Sequence, residues 1–182
     1  MQNDFTKEIT SEVQMIISII RQEPLQVKEF YIHLAIFWLT GVFPLVLNLT
    51  KLKKEYKEKT QQQRERMALA YLAMHLDNQL HEEGAGLNAI LQERERQIEK
   101  GYTTARDLAN YRHNDDLKNF AIYRLTDDRT YYPYLSPRHM NHVQKHSETE
   151  RQIQGGAILL AHILMRLASG QYSKPVTHSK TA

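Results

Sequence analysis

The chain contains no cysteine, and among its 182 residues it has only seven glycines, five prolines and one tryptophan. Without cysteine it forms no disulfide scaffold, no thiolate metal site and no cysteine nucleophile. The small number of glycines and prolines argues against long disordered or collagen-like stretches. The sequence also lacks the P-loop, the dinucleotide-binding glycine motif, the serine-hydrolase motif, the zinc-protease motif and the EF-hand. These absences exclude the commonest catalytic signatures.

The charge balance is mild. There are 24 basic and 21 acidic residues, which gives a formal net charge of +3. This surplus is too small to predict a nucleic-acid-binding protein from composition, and we expect no DNA partner. With 41% hydrophobic residues the chain can bury a core, and its length favours one domain, or one small domain with an appendage.

Residues 30–49 form a long apolar run, with no Asp, Glu, Lys or Arg in 20 positions. A helix of this length rises about 30 Å, which is about the thickness of the hydrocarbon core of a bilayer. The alternative is a buried core helix, which can also be apolar on every side. Because nothing else in the sequence is apolar enough to surround such a helix, the run predicts a membrane-spanning helix.

The charges on either side of this run predict its orientation. Residues 1–29 carry three basic and five acidic side chains, whereas residues 50–66 carry seven basic and three acidic ones. Because positive charge concentrates on the cytoplasmic side of a span, we expect the C-terminal part of the chain to be cytoplasmic. The basic residues that would surround the inner mouth of a pore are Lys51, Lys53, Lys54 and Lys57.

Four polar or helix-bending residues recur near one face of the predicted span: His33, Thr40, Pro44 and Asn48. Polar groups within a span generally face other protein or a water-filled cavity, because lipid cannot satisfy their hydrogen bonds. The stripe therefore fits a pore lining or a seam between helices, and a plain anchor that tolerates these residues is the alternative. Because a single span cannot enclose a pore, a pore requires a homo-oligomer.

The rest of the chain has helical patterns. Residues 5–20 place five apolar side chains on one stripe, and Ser147 with Glu150 forms a capping-box pattern at the start of another helix. No alternating run bounded by turn signals argues for a sheet. We therefore predict an all-α protein with a cytoplasmic helical bundle behind a membrane segment. Its expected parts are an amphipathic and transmembrane segment at 1–49, a basic connecting helix at 50–86, a helical bundle at 87–170 and a loose tail at 171–182.

Two groups of residues are candidate metal ligands. His139, His142 and His146 are spaced three and four residues apart, which on a helix suits a divalent metal. A second group, on neighbouring predicted helices, resembles the Mg²⁺-binding carboxylates of all-α nucleotide pyrophosphohydrolases. Because Arg and Lys are interleaved with both groups, ordinary solvated faces explain them better, and we predict neither a metal nor another cofactor. The carboxylates of the second group are Glu82, Glu83, Glu93, Glu95, Glu99, Asp107, Asp115 and Asp116.

Arg106, Asp107 and His113 follow a pattern that resembles the signature of HEPN domains, small helical bundles. In that family an Arg and a His from two subunits often form a metal-free RNA-cutting site. Such cleavage needs a base for the ribose 2′-hydroxyl and a cation for the phosphate. Seven residues of helix would put Arg106 and His113 on one face, about 10.5 Å apart along the axis. The alternative is a surface Arg and a surface His, because pairs at this spacing arise often by chance.

Residues 93–103 and 151–167 are similar to a family of small phage-type helical proteins without a clear assigned function, and the resemblance covers about residues 88–169. That family has an acidic cluster after a Gly-aromatic-Thr sequence. The cluster is not reproduced here, since residues 105–108 read Ala-Arg-Asp-Leu. This resemblance supports treating 88–169 as one module and implies no activity.

The whole layout resembles the small accessory membrane proteins of type VI-B CRISPR systems, which accompany an RNA-guided RNA nuclease. The shared features are the length, one N-terminal hydrophobic run, an all-helical remainder and a degenerate HEPN-like pair. The resemblance implies an oligomeric, pore-like assembly in the bacterial inner membrane that depolarises the infected cell and strengthens antiviral defence. Its expected partners are further copies of the chain, the lipid bilayer, and the nuclease or its RNA product. The alternative hypothesis is an enzyme, either a HEPN-type ribonuclease or an all-α nucleotide pyrophosphohydrolase.

Overall fold

The computed structural model describes residues 2–23, 25–42, 50–111, 115–133 and 135–170. Within these ranges all regular secondary structure is helical, which confirms the all-α prediction. Short 3₁₀ helices cover Leu25–Phe30 and Arg129–Tyr131. The α-helices are α1 (Gln2–Ile20), α2 (Tyr31–Thr40), α3 (Thr50–Glu58), α4 (Gln61–Leu80), α5 (Ala85–Glu99), α6 (Thr104–Tyr111), α7 (Asp116–Thr126), α8 (Pro137–Gln144) and α9 (Glu148–Ala168).

Helices α4 and α9 form the centre of the bundle. Helix α4 contacts α1, α2, α5 and α9, and α9 also contacts α5, α6 and α7. Each of the two central helices begins with a capping box, built by Thr60 and Gln63 in α4 and by Ser147 and Glu150 in α9. A capping box satisfies backbone N–H groups that have no partner in the first turn of a helix. The sequence predicted the second box correctly.

Glycines allow α5 to approach α4 closely, and α9 to approach α5 closely. A Cβ atom on Gly86 of α5 would lie 2.1 Å from the carbonyl oxygen of Ala73 in α4. A Cβ atom on Gly156 of α9 would lie 2.7 Å from the Ile90 side chain in α5. A Cβ on Gly86 would overlap backbone that cannot move aside, so only glycine fits there, whereas a Cβ on Gly156 would require the Ile90 side chain to shift.

The apolar run is where the sequence-based prediction is wrong. Helix α2 ends at Thr40, because Gly41 adopts the left-handed conformation (φ 72°) and its N–H donates to the carbonyl oxygen of Phe37. Its ten residues rise only about 15 Å, half of what a bilayer core requires. In the described part of the chain, no helix combines the length and the apolar character needed to cross a membrane. The membrane-spanning helix predicted for 30–49 is therefore a wrong prediction, and residues 43–49 lie outside the described residues.

Helix α2 lies in the protein core instead. It packs mainly against α4, and the apolar stripe of α1 joins the same core. The expectation that nothing could surround this segment overlooked these two helices. Each is only partly apolar, but each turns a continuous apolar face inward. The buried residues of α2 are Tyr31, Leu34, Ala35, Phe37, Trp38 and Leu39, and those of the α1 stripe are Ile9, Val13, Ile17 and Ile20.

Two stretches with continuous helical patterns each contain two helices in the structure. The pattern over residues 104–125 predicts one helix, whereas the structure has α6 and α7 with residues 112–114, which are not described, between them. The stretch 50–80 contains α3 and α4, separated at Lys59 by the start of the capping box at Thr60. Neither break is marked by a glycine or a proline, so the usual turn signals did not reveal them.

Candidate functional site

Helix α3 carries a basic face, formed by Lys51, Lys53, Lys54 and Lys57. All four lysines are exposed, and the side chains of Lys51 and Lys54 are 89% and 79% exposed. At about 100° per residue, Lys51, Lys54 and Lys57 lie on the side of α3 that is turned away from its inward residues, and Lys53 lies at the edge of that side. Those inward residues, Leu52 and Tyr56, pack against the core.

Two carboxylates on the same helix offset part of this charge. The Nζ of Lys51 lies 4.0 Å from Glu55 Oε1, and the Nζ of Lys54 lies 3.9 Å from Glu58 Oε1. Exposed pairs of this kind contribute at most about 1 kcal/mol. The lysines can therefore exchange these partners for an anionic surface at little cost.

An exposed apolar residue lies just after α2, where the chain passes close to Tyr56 of α3. Val42 is 62% exposed and follows Gly41, where an added Cβ would lie 3.1 Å from the hydroxyl oxygen of Tyr56 in α3. The backbone N–H of Val42 donates to Thr40 Oγ1 at 3.1 Å, which holds the chain close to the end of α2. Exposed apolar side chains beside clustered lysines are typical of segments that bind a membrane surface.

The structure describes two of the four residues in the predicted polar stripe. His33 is exposed on α2. Thr40 is half-buried, and its hydroxyl donates to the carbonyl oxygen of Ile36 at 2.9 Å, so its hydrogen bond is satisfied within its own helix. Pro44 and Asn48 lie outside the described residues. The role of the stripe as a pore lining or helix seam stays a prediction.

The HEPN-like pair is described in part. Arg106 is exposed on α6, with its guanidinium 4.5 Å from the centroid of the Tyr102 ring. His113 lies outside the described residues, so the RNA-cutting pair stays a prediction. Asp107 is buried and accepts a hydrogen bond from Arg94 Nη2 at 3.1 Å. Burial raises the pKa of Asp107, against the opposing charge of Arg94. The aspartate of the motif therefore ties α6 to α5.

The candidate metal ligands are not brought together in the described ranges, where no three His, Asp or Glu side chains form a group that could hold a metal ion. The rings of His142 and His146 meet edge to face at 5.2 Å. Several of the carboxylates pair with cations instead. Glu93 accepts from Arg96 at 2.6 Å, and Asp115 accepts from Lys118 at 2.9 Å and Arg166 at 2.7 Å.

Sequence analysis missed a buried polar pair between the two central helices. Glu65 Oε1 in α4 lies 3.1 Å from His162 Nε2 in α9, and the two side chains are 2% and 0% exposed. Gln61 Nε2 donates to the same carboxylate oxygen at 2.9 Å. The only signal in the sequence was a histidine within the apolar run of α9. The pair itself could not be predicted, because its members are 97 positions apart.

Comparisons of the chain with protein-family models, with curated proteins and with solved structures found no match. They therefore leave both sequence resemblances untested. The functional inferences that follow depend on the geometry described above and, for the antiviral role, on the second resemblance.

Proposed function

We propose that this chain is an oligomeric effector that binds the surface of an anionic membrane through the basic face of α3. The observation that carries the proposal is the set of four exposed lysines on α3. Clustered lysines are attracted to anionic headgroups, and an exposed apolar side chain such as Val42 can enter the boundary between headgroups and acyl chains.

The expected strength of this attraction follows from the number of lysines. Each lysine close to an anionic membrane surface contributes about 1 kcal/mol. Three of the four lysines would therefore contribute about 3 kcal/mol, which is more than a hundredfold in partitioning. Because the attraction is electrostatic, it should weaken as salt shortens the Debye length.

The proposal includes self-assembly and a role in antiviral defence. Both come from the resemblance to the accessory membrane proteins of type VI-B CRISPR systems. In this form, copies of the chain gather at the bacterial inner membrane, permeabilise it, and act beside an RNA-guided RNA nuclease or its RNA product. The proposal assigns membrane contact to the basic face and requires no spanning helix from the described residues.

Vesicle co-sedimentation tests the membrane contact. We expect the protein to bind vesicles of phosphatidylcholine with phosphatidylserine, to bind those of phosphatidylcholine alone much more weakly, and to be released by salt. Replacing Lys51, Lys54 and Lys57 with Gln should reduce binding by about a hundredfold or more. The matched control replaces three exposed lysines on other elements with Gln, which changes the net charge equally: Lys28, Lys100 and Lys145.

Equal losses in the two triple variants would show that net charge alone drives binding, and would contradict a role for α3. No binding of the wild-type protein to anionic vesicles would contradict the whole proposal. Release of a trapped dye from the same vesicles tests permeabilisation separately. Vesicles that bind protein but stay sealed, with the nuclease partner present, would limit the function to membrane attachment. Light scattering of the purified protein tests self-assembly.

A further inference from the structure

The buried arginines of the described residues differ in what neutralises their charge. Arg66, Arg94 and Arg124 are 3%, 3% and 8% exposed. Arg66 pairs with Glu12. Arg94 pairs with Asp107 at 3.1 Å. Arg124 of α7 pairs with no carboxylate in the described part of the chain. Because arginine is almost never buried without a partner of opposite charge, Arg124 is the exception among the three.

Uncharged neighbours hold Arg124 in one orientation. Its Nη1 donates to Gln154 Oε1 of α9 at 2.6 Å, and its guanidinium carbon lies 5.0 Å from the centroid of the Phe120 ring. Helix α9 also covers the aliphatic part of the side chain, since a Cβ on Gly155 would lie 3.1 Å from the Cβ of Arg124. An amide oxygen and an aromatic ring carry no net charge, and a guanidinium stays protonated in proteins. The charge of Arg124 is therefore oriented but not neutralised.

The charges around Arg124 do not supply the missing carboxylate. Burial lowers the pKa of Arg124, and Glu93 is the carboxylate whose charge opposes this shift. Both oxygens of Glu93, however, accept hydrogen bonds from Arg96 at 2.6 Å. Arg151 also acts on the pKa of Arg124, and its own charge is matched by Asp127 at 3.1 Å. Each of these carboxylates has its own arginine, so one positive charge stays uncompensated at Arg124.

We propose that Arg124 and Gln154 bind a carboxylate group that belongs to an acidic peptide segment of another protein. Nη2 of Arg124 and Nε2 of Gln154 make no hydrogen bond within the described residues, and unlike the buried Nε of Arg124 both are open to solvent. Guanidinium and carboxylate groups form strong, charge-assisted hydrogen bonds. One carboxylate carries the single negative charge that Arg124 lacks, whereas a phosphate brings close to two. The site shares no residue with the basic face of α3.

The position of the site favours a peptide over a free carboxylate ion. Only the tip of a buried side chain is accessible, and one ion pair at a surface contributes little by itself. A peptide adds contacts on either side of its carboxylate. The rings of Phe120 and Tyr132, whose centroids lie 5.1 Å apart, are only partly buried and offer aromatic surface beside Arg124.

Thermal melts distinguish a binding site from a structural arginine. Arg124→Met keeps an apolar side chain but removes a buried charge that has no counter-ion, so the variant should melt at the wild-type temperature or above it. Arg94→Met is the matched control, because it removes a buried arginine and leaves Asp107 without its cation. This control should melt several degrees lower than the wild type. Equal falls in the two variants would overturn the proposal.

Nuclear magnetic resonance of the isotope-labelled protein measures binding. The probes are the capped peptide Gly-Ser-Glu-Ser-Gly, the same peptide with Gln in place of Glu, and succinate, all at one ionic strength set with sodium chloride. The Glu peptide should shift the side-chain amide signals of Gln154 and the Nε–H signal of Arg124 saturably, and the Gln peptide should not. The Arg124 signal is the one that is missing from the spectrum of Arg124→Met.

Variants locate the binding site. Arg124→Met should weaken binding of the Glu peptide about tenfold or more, followed through the amide signals of Gln154. Arg124→Lys should also weaken it, because a lysine keeps the charge but loses the planar fork. Arg21→Met, which removes an arginine at the end of α1 with a side chain 38% exposed, is the control and should bind like the wild type.

The assignment is overturned if the Glu and Gln peptides shift these signals equally or not at all. It is also overturned if Arg124→Met binds the Glu peptide as tightly as Arg21→Met does. Succinate that binds more tightly than the Glu peptide would replace the peptide with a small free dicarboxylate. If light scattering shows that the wild type self-associates and Arg124→Met does not, the carboxylate belongs to a second copy of the chain, and the assignment to another protein is wrong.

Discussion

Replacing His162 with leucine tests how strongly the buried pair with Glu65 stabilises the bundle. The substitution keeps an apolar side chain of similar reach in the core, but removes one hydrogen-bond partner from the Glu65 carboxyl. Removing one partner of a buried ion pair costs about 3–5 kcal/mol, and leaving a buried neutral group unpaired costs about 1–3 kcal/mol. Because both side chains are at most 2% exposed, water cannot replace the lost partner. We expect His162→Leu to lose about 3 kcal/mol.

This loss is large on the scale of the whole protein, since domains unfold with only about 5–15 kcal/mol. For a chain of this length, it corresponds to a fall in melting temperature of roughly 6–12 °C. Urea denaturation followed by far-ultraviolet circular dichroism measures the free energy of unfolding. If the free energy of unfolding falls with urea concentration at the same slope as in the wild type, the substitution changes stability and not the surface that unfolding exposes.

The double variant Glu65→Leu/His162→Leu distinguishes a specific pair from two independent core residues. Replacing both members of a buried polar pair with apolar groups is often neutral or stabilising. The exposed end of Gln61 can then bond to water. We therefore expect the double variant to be more stable than His162→Leu alone. A neutral His162→Leu, or losses that simply add in the double variant, would refute the reasoning.

Two further predictions concern titration and catalysis. His75 Nε2 lies 3.1 Å from Gln152 Oε1, and burial lowers the pKa of His75 in the folded protein below its ordinary value of 6.5. Because the unfolded chain then binds a proton more readily than the folded one, the contribution of His75 to the free energy of unfolding is complete above pH 6.5 and is lost as the pH falls below it. Urea denaturation at pH 7 and pH 5 should show a smaller loss for His75→Gln than for the wild type, and equal losses would contradict this. We also expect purified wild-type protein, Arg106→Ala and His113→Ala all to leave labelled single-stranded RNA uncut. Arg106→Ala should lower the free energy of unfolding by at most about 1 kcal/mol, because it loses only the contact with the Tyr102 ring. Cleavage that either substitution abolishes would favour the ribonuclease hypothesis instead.

Local features of the sequence were sufficient to predict the helical fold class and some helix ends. The capping box at Ser147 depends on two side chains three residues apart, and the apolar stripe of α1 repeats along a single helix. Interactions of this range are encoded in neighbouring residues, so a sequence pattern can report them directly. The lysines of α3 are exposed for the same reason, since their spacing keeps them away from the apolar side of one helix.

The surroundings of the apolar run were decided only by the tertiary structure. Hydropathy shows that residues 31–40 avoid water, but it does not distinguish lipid from a protein core as the apolar medium. The helix ends at Thr40, before Gly41, and packs on α4, a partner that begins twenty-one positions later in the chain. Likewise, Trp38 and Lys118 line one cavity, and Glu65 meets His162, only after helices distant in sequence have packed. Contacts between such helices arise from the packing of whole faces, and no local pattern of residues records which faces will meet.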